Sequence, residues 1–234
     1  MGVNDQERDY RERYVAFMDV LGFSQLVSDA DHQAHKREVI LAIIESLRTT
    51  LSEIPPTNFR FTQFSDCIAV SADRSPDGII AIFSGCAALV TDLFQLGVML
   101  RGGIAVGNLV HTSEVLFGTG LLGALAHDRS GGSPRIALQS NVMSDAEKWG
   151  YIDLTRRDHV DGHPMLHVLW EFENADTTGV MQPLIRTAAG KIVRHLRSNI
   201  SREDLPLGVR AKWTWMVAYW NESVTNQGLF PQCG

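Results

Sequence analysis

The sequence predicts an α+β fold in which helices cover one face of a largely antiparallel sheet. Short runs rich in β-forming residues alternate with longer segments whose apolar residues recur at helical spacing. Two of the short runs are separated by only Ser65 and Asp66, a spacing typical of a tight hairpin. The chain has 234 residues, of which 44% are hydrophobic, so one core and a single domain over 1–234 are expected.

The first part of the chain carries the elements of the predicted core. Its strands are expected over 14–20, 59–64, 67–72, 99–106, 108–112 and 135–138, with 108–112 turning back to pair with the strand before it. Its helices are expected over 38–51, 77–97 and 121–128, and Ser24 is expected to cap a further helix after the first strand. This order predicts a ferredoxin-like βαββαβ core over about residues 14–140.

The rest of the chain, about residues 141–234, is expected to elaborate that core with a β-hairpin and helices. Strands are predicted over 151–155, 158–160 and 165–171, and helices over 181–199 and 209–223. His159, His163 and His167 have the spacing of helical metal ligands, but the intervening Gly162 and Pro164 favour a hairpin turn.

Composition and charge argue against a nucleic-acid-binding, membrane-bound or disulfide-rich protein. The formal net charge is -6, so neither nucleic acid nor an anionic membrane is an expected partner. No apolar run is expected to reach the roughly 20 residues needed to cross a bilayer. The three cysteines are far apart and odd in number, which argues against a disulfide framework and predicts a cytoplasmic location.

Two aspartates are the candidate metal ligands. Asp19 ends a buried apolar strand, where a carboxylate is costly unless a cation or hydrogen bonds compensate it. Asp66 lies at the tip of the predicted hairpin, which an antiparallel sheet can bring beside the end of the first strand. Converging carboxylates are the oxygen ligands that Mg²⁺ and Mn²⁺ prefer. Either aspartate alone is equally typical of a turn or a helix cap.

Two neighbouring segments are candidates for binding phosphate. The sequence Gly22-Phe23-Ser24 leads into a helix, whose first amides can hydrogen-bond an anion. Arg101 begins a glycine-rich strand segment over 101–107 and has the fork geometry suited to phosphate. The glycines are equally well explained by close packing of the backbone.

Three motifs resemble the class III nucleotidyl cyclases. They are Phe-Met-Asp-Val-Leu-Gly-Phe-Ser at 17–24, Ser-Asp in the hairpin at 65–66, and Leu-Arg-Gly-Gly-Ile-Ala-Val-Gly at 100–107. Phe-Ser-Asp at 64–66, Arg-Gly-Gly-Ile at 101–104 and Pro-Arg-Ile-Ala-Leu at 134–138 look most like the pyrimidine cyclases of bacterial Pycsar anti-phage systems. The resemblance covers about residues 14–140.

This resemblance implies a two-metal enzyme. Asp19, Asp66 and the backbone carbonyl of Val20 would bind two Mg²⁺ or Mn²⁺ ions, and the 3′-hydroxyl of UTP would attack the α-phosphorus to give cyclic UMP. The resemblance also implies a homodimer with its sites at the subunit interface, and a separate effector that senses the product after infection. CTP as substrate, giving cyclic CMP, stays open.

The sequence departs from the family at three positions. Thr62 stands where purine cyclases carry a base-reading Lys, which argues against a purine substrate. The Asn and Arg that steady the reacting phosphate in the family align with Leu122 and Ala126, which cannot do this. Either Arg101, Arg129 or Arg135 supplies the positive charge, or the chain is a weak or inactive cyclase-like domain that binds nucleotide.

Overall fold

The fold is built around one mixed sheet. The computed structural model describes residues 9–52, 59–129, 132–175, 182–224 and 230–233. Across these residues the strands lie in the order β2-β3-β1-β4-β6-β8-β7, and β5 pairs with β4 beside this path. The strands are β1 (Arg11–Val20), β2 (Arg60–Phe64), β3 (Cys67–Asp73), β4 (Leu100–His111), β5 (Leu116–Phe117), β6 (Ile136–Leu138), β7 (Thr155–Arg157) and β8 (Pro164–Leu166).

Eight α-helices accompany the sheet within the described residues. They are α1 (Phe23–Ala30), α2 (Ala34–Ser52), α3 (Pro76–Gln95), α4 (Thr119–Arg129), α5 (Ser140–Lys148), α6 (Trp170–Glu173), α7 (Gln182–Ile200) and α8 (Leu207–Val224). A short 3-10 turn spans Ile152–Leu154.

The predicted α+β, ferredoxin-like core is confirmed by the strand order. The first four main strands lie as β2-β3-β1-β4, and each pairs antiparallel with its neighbour. This is the arrangement of a βαββαβ unit, with β1 at the centre of the four. The β7–β8 hairpin and the helices that follow it form the expected C-terminal elaboration.

Alternation along β1 divides the sheet into two faces. Tyr14, Ala16 and Met18 belong to the large apolar core, which also holds buried residues of α2, α3, α7 and α8. Val15 belongs to a smaller cluster on the other face, together with Ala105 of β4 and Ala124 of α4. The expectation that helices cover only one face is therefore wrong, because α4 packs on the opposite face.

Several element boundaries also differ from the prediction. β4 is one continuous strand of 12 residues, so 108–112 does not turn back on it. Residues 158–160 form a turn, and 167–171 leaves the sheet and enters α6. Helix α5 was not expected. It has few apolar residues, and only three of its side chains reach the interior: Val142, Asp145 and Ala146.

Helix α3 is more continuously apolar than expected. Pro76–Gln95 is long and apolar enough to cross a bilayer, which corrects the expectation that no run reaches that length. More than half of the helix is buried inside the fold. Ser75 caps its start by accepting a hydrogen bond from the Gly78 amide, at 3.0 Å.

A buried ion pair ties the β7–β8 hairpin to the core. Arg135 donates to Asp158 and to both carboxylate oxygens of Asp161. The side chains of Arg135 and Asp158 are 3% and 0% exposed, whereas that of Asp161 is 48% exposed. The Trp215 indole of α8 also donates to Asp158, at 3.1 Å.

Removing Asp158, the buried carboxylate that pairs with Arg135, is expected to destabilise the fold strongly. Asp158→Ala leaves the Arg135 guanidinium buried with one partner fewer, at a cost of about 3 kcal/mol in the free energy of unfolding. Asp161→Ala, which removes the exposed partner, is the matched control and is expected to cost about 1 kcal/mol or less. Urea denaturation measures both variants, and equal losses would contradict the assignment.

Candidate functional site

The β2–β3 hairpin places Asp66 beside the end of β1. Phe64 pairs with Cys67, so Ser65 and Asp66 form a two-residue turn, as predicted. Ser65 has a φ of 56°, in the left-handed region that turns of this kind require. The Val20 amide donates to the Asp66 carbonyl at 3.1 Å, which joins the hairpin tip to the last residue of β1.

Asp19, Asp66 and Cys67 form a compact cluster at this junction. One ligand atom from each lies within 4.8 Å of the others, and all three residues are partly buried. Asp19 pairs directly with Cys67 across the β1–β3 ladder, and the Cys67 thiol lies 3.8 Å from an Asp19 carboxylate oxygen. The structure thus brings together the two aspartates that the sequence singled out.

Arg101 lies on the other side of Asp19. The two residues pair across the β1–β4 ladder, and the guanidinium is 3.9 Å from the Asp19 carboxylate. Both side chains are about one quarter exposed. Asp19 therefore stands between a thiol on β3 and a guanidinium on β4, all on the sheet face away from the large core.

Helix α1 begins directly after β1. Gly22 precedes it with a φ of 80°, a conformation that residues with a Cβ rarely adopt. Phe23 is buried in the large core, so only its amide can serve a ligand at this end of the helix. Ser24 is exposed inside the helix and does not cap it, because Gly22 holds the cap position without a side-chain hydrogen bond. The expected cap is wrong, while the first amides of α1 remain next to the β1 end.

Thr62 is held by a buried histidine. It lies on β2 opposite Ala69, about 7 Å along the ladder from Cys67. Its hydroxyl is hydrogen-bonded to His111 Nε2 at 2.9 Å, and Ser71 Oγ is bonded to His111 Nδ1 at 2.8 Å. Arg60 donates to the His111 carbonyl. Thr62 thus shares the sheet face of the metal cluster, and its hydroxyl is oriented by the end of β4.

Sequence reasoning missed Cys67 and His111. Cys67 could have been found from the hairpin itself, since the residue after Asp66 must face the end of β1 when the two strands pair. His111 offered no comparable signal, because residues 108–112 are predicted to turn back against 99–106, whereas β4 runs straight on to His111. Cys67 adds a soft sulfur donor to the two carboxylates, and thiolate ligands favour Zn²⁺ over Mg²⁺.

The glycine-rich segment is explained by packing at one position. A Cβ on Gly107 would lie 2.5 Å from the Gly120 amide nitrogen, so α4 begins almost in contact with the β4 backbone. Arg135, one of the three candidate cations, is bound to Asp158 and Asp161 away from the cluster. The Arg129 side chain lies outside the described residues.

Among the described residues, His159, His163 and His167 do not form a group that could hold a metal ion. His159 stacks on Trp215 with ring centroids 5.3 Å apart. His167 is buried and bonded to Tyr219 and Glu173. These histidines lie in or beside the β7–β8 hairpin, as their spacing around Gly162 and Pro164 predicts. The cluster of Asp19, Asp66 and Cys67 is the candidate metal site found among the described residues.

Comparisons with known proteins return likenesses of structure. No protein-family model matches the sequence, and no curated protein matches it. The monomeric guanylyl cyclase domain of a RhoGC fusion protein from Blastocladiella emersonii matches with a TM-score of 0.49 and 12% identity, over 67% of this chain and 94% of that one. An adenylate/guanylate cyclase/hydrolase from Silicibacter pomeroyi matches at 0.46 and 14%, over 68% and 95%.

A third likeness is to a class III adenylyl cyclase-like ATP-binding protein from Pseudomonas aeruginosa. Its TM-score is 0.47 at 10% identity, over 68% of this chain and 38% of that chain. None of these likenesses assigns an activity to this chain.

Loss of either aspartate is expected to weaken metal binding. Asp66→Asn and Asp19→Asn each remove a charged oxygen ligand, and Mn²⁺ affinity should fall about tenfold or more. Electron paramagnetic resonance of free Mn²⁺ measures this directly. Asp31→Asn, at the exposed far end of α1, is the control and should bind as the wild type does. Cys67→Ser should lower Zn²⁺ affinity more than Mn²⁺ affinity, and unchanged Mn²⁺ binding in both aspartate variants would exclude the site.

His111 is expected to make the fold sensitive to acid. Burial, with smaller contributions from the Arg13 and Arg60 guanidinium groups, lowers the pKa of His111 from 6.5 to about 4. The unfolded chain therefore takes up this proton below about pH 6.5, whereas the folded chain does so only near pH 4. Stability should fall across that window as pH decreases, by on the order of 3 kcal/mol.

A variant separates this contribution from those of other groups. His111→Gln should reduce the loss of unfolding free energy between pH 6.5 and pH 4, measured by urea denaturation at a series of pH values. His35→Gln, which changes an exposed histidine, should keep the wild-type slope. A wild-type slope in His111→Gln would contradict the interpretation.

Proposed function

We propose that this chain is a metal-dependent nucleotidyl cyclase that converts UTP to 3′,5′-cyclic UMP and pyrophosphate. The observation that carries the proposal is the meeting of Asp19 and Asp66 at the end of β1, within 4.8 Å and beside the start of α1. Carboxylates converging next to a helix N-terminus offer ligands for divalent ions and donors for phosphate in one place.

The donor set fits divalent ions. Asp19 and Asp66 supply anionic oxygens and are open enough for ligands to reach, and the Val20 backbone lies between them. Two Mg²⁺ or Mn²⁺ ions bound there would acidify the 3′-hydroxyl and neutralise charge on the phosphates. The carbonyl of Val20 is the proposed third oxygen ligand.

The amides at the start of α1 and the Arg101 side chain are proposed to bind the phosphates. The amides at Gly22, Phe23 and Ser24 are proposed to hold the outer phosphates, because the first amides of a helix have no acceptor within it. Arg101 is proposed to steady charge at the α-phosphorus, where the bond to O3′ forms and the bond to pyrophosphate breaks. Its guanidinium lies beside Asp19, so it is in reach of whatever Asp19 binds.

Thr62 is the proposed contact for the base. A single hydroxyl held by His111 can donate or accept one hydrogen bond, which suits a small pyrimidine edge better than the longer reach of a lysine would. This supports a pyrimidine substrate, with UTP preferred and CTP as the alternative.

A homodimer is proposed to complete the site. Leu122 of α4 and Phe64 of β2 are 67% and 80% exposed and project from elements on the sheet face that carries the cluster. Exposed apolar side chains grouped around a polar site are typical of a surface that a second subunit covers. In the proposed cell biology, cyclic UMP made in the cytoplasm activates a separate effector in anti-phage defence.

A second candidate function is a cyclase-like domain that binds nucleotide without turnover. Leu122 and Ala126 stand where the resembling enzymes place polar groups, and Leu122 faces solvent. If no cation from a second copy fills that place, the transition state lacks part of its stabilisation.

Product analysis distinguishes these functions. UTP, CTP, ATP and GTP are incubated separately with the protein and Mn²⁺, and UTP is expected to give cyclic UMP, identified by mass spectrometry. Asp66→Asn should lower the rate at least about a hundredfold, whereas Asp31→Asn should keep it. Specific activity should rise with protein concentration, because the site is proposed to lie between two copies.

Cyclic CMP in place of cyclic UMP would favour the cytidylate alternative. Nucleotide binding in calorimetry without any cyclic product would favour the binding domain. An Asp66→Asn variant with full activity would exclude the proposed metal role.

A further inference from the structure

A cavity lies apart from the candidate site. It has a volume of about 550 Å³ and opens between the outer side of α3, the 3-10 turn after α5, and the segment from β8 to α6. Cavities of this size hold small organic molecules in other proteins. None of the residues proposed to bind metal or nucleotide lines it, and α3 packs against the opposite side of the sheet from Asp19.

The interior of this cavity is apolar and aromatic. Phe83 of α3, together with Leu166 and Val168, belongs to the large core and forms its floor. Tyr151 and Trp170 supply aromatic rings in its wall. A ligand here would therefore bury an apolar body, and the aromatic rings would also attract a positive charge.

The charged side chains that line the cavity are all acidic. Asp92 comes from α3, Asp153 from the 3-10 turn and Glu171 from α6, so carboxylates approach from three separate elements. Asp153 and Glu171 are exposed at the opening, and Asp92 is held in place by the Thr50 hydroxyl at 2.7 Å. The described residues that line the cavity include no Lys or Arg.

His167, which also lines the wall, does not add positive charge. It is buried, and this burial lowers its pKa. Its ring is fixed by hydrogen bonds to Tyr219, at 2.8 Å, and to Glu173. Behind it, the Arg156 guanidinium lies 3.4 Å from Glu173, so that charge is paired. The charge of the wall is thus negative.

We propose that this cavity binds a small organic cation with an apolar body. The ammonium group would lie at the opening between Asp153 and Glu171, and the apolar body would lie against Phe83 and Leu166. The same charges disfavour anions, so nucleotides and phosphates are not the occupants. The proposal does not depend on the activity of the metal cluster.

Three probes of nearly equal shape test the role of charge. Phenylbutylamine, phenylbutanol and phenylbutyrate share one apolar body and are cationic, neutral and anionic at neutral pH. Calorimetric titration at low salt should give the amine an affinity about fivefold or more above that of the alcohol, with phenylbutyrate weakest. Binding of the alcohol as tight as that of the amine, or no amine binding at millimolar concentration, would overturn the proposal.

Two variants locate the binding. Asp153→Asn with Glu171→Gln removes both opening charges and should reduce the affinity for the amine to about that for the alcohol. Asp31→Asn with Glu38→Gln removes two exposed carboxylates that do not line the cavity, and it should retain the preference for the amine.

A third variant fills the cavity. Ala88 is exposed on α3 and lines the wall, so Ala88→Trp should block all three probes without disturbing the core. Circular dichroism and the melting temperature confirm that the variant is folded. Wild-type amine binding in folded Ala88→Trp, or a retained amine preference in the Asp153/Glu171 variant, would place the binding elsewhere and refute the proposal.

Discussion

The position of β1 between β3 and β4 is the constraint on which the candidate site depends. Because both ladders are antiparallel, one residue of β1 faces the start of a strand on each side. For Asp19 these partners are Cys67 on β3 and Arg101 on β4. A shift of one residue in either ladder would turn the partner side chain to the opposite face of the sheet. The register of β1, set by the burial of Tyr14, Ala16 and Met18, therefore determines which charges meet Asp19.

The strongly patterned parts of the chain were predictable. The continuous apolar run of β1 and the two-residue spacing around Ser65 and Asp66 predicted the central strands, and from these followed the meeting of Asp19 with Asp66. The close Gly107–Gly120 contact was not predictable, because it depends on two segments that meet only in three dimensions. For the same reason, strand β4 was expected to break near Gly107, whereas that glycine admits the start of α4.

Charged residues outside the site show why composition alone is a poor guide to function. Arg135 looked like a candidate for phosphate, but it lies in a buried pair that fastens the β7–β8 hairpin. Arg74 and Tyr14 likewise share the Asp145 carboxylate, which joins α5 to the central strand. A buried charge is tolerated where several partners offset its loss of hydration. Arg101 differs from them because its partner Asp19 is partly exposed and belongs to a cluster able to take up a ligand.

The backbone conformation of Ser65 affects which residues this turn can accept. A residue with a Cβ at a φ of 56° is strained by about 1 kcal/mol or more relative to glycine. Selection for stability alone would favour glycine there, and the hydroxymethyl side chain lies immediately before Asp66. Serine therefore makes this turn less stable than glycine would. Among changes in this turn, replacement of the serine by glycine is therefore one that relieves backbone strain.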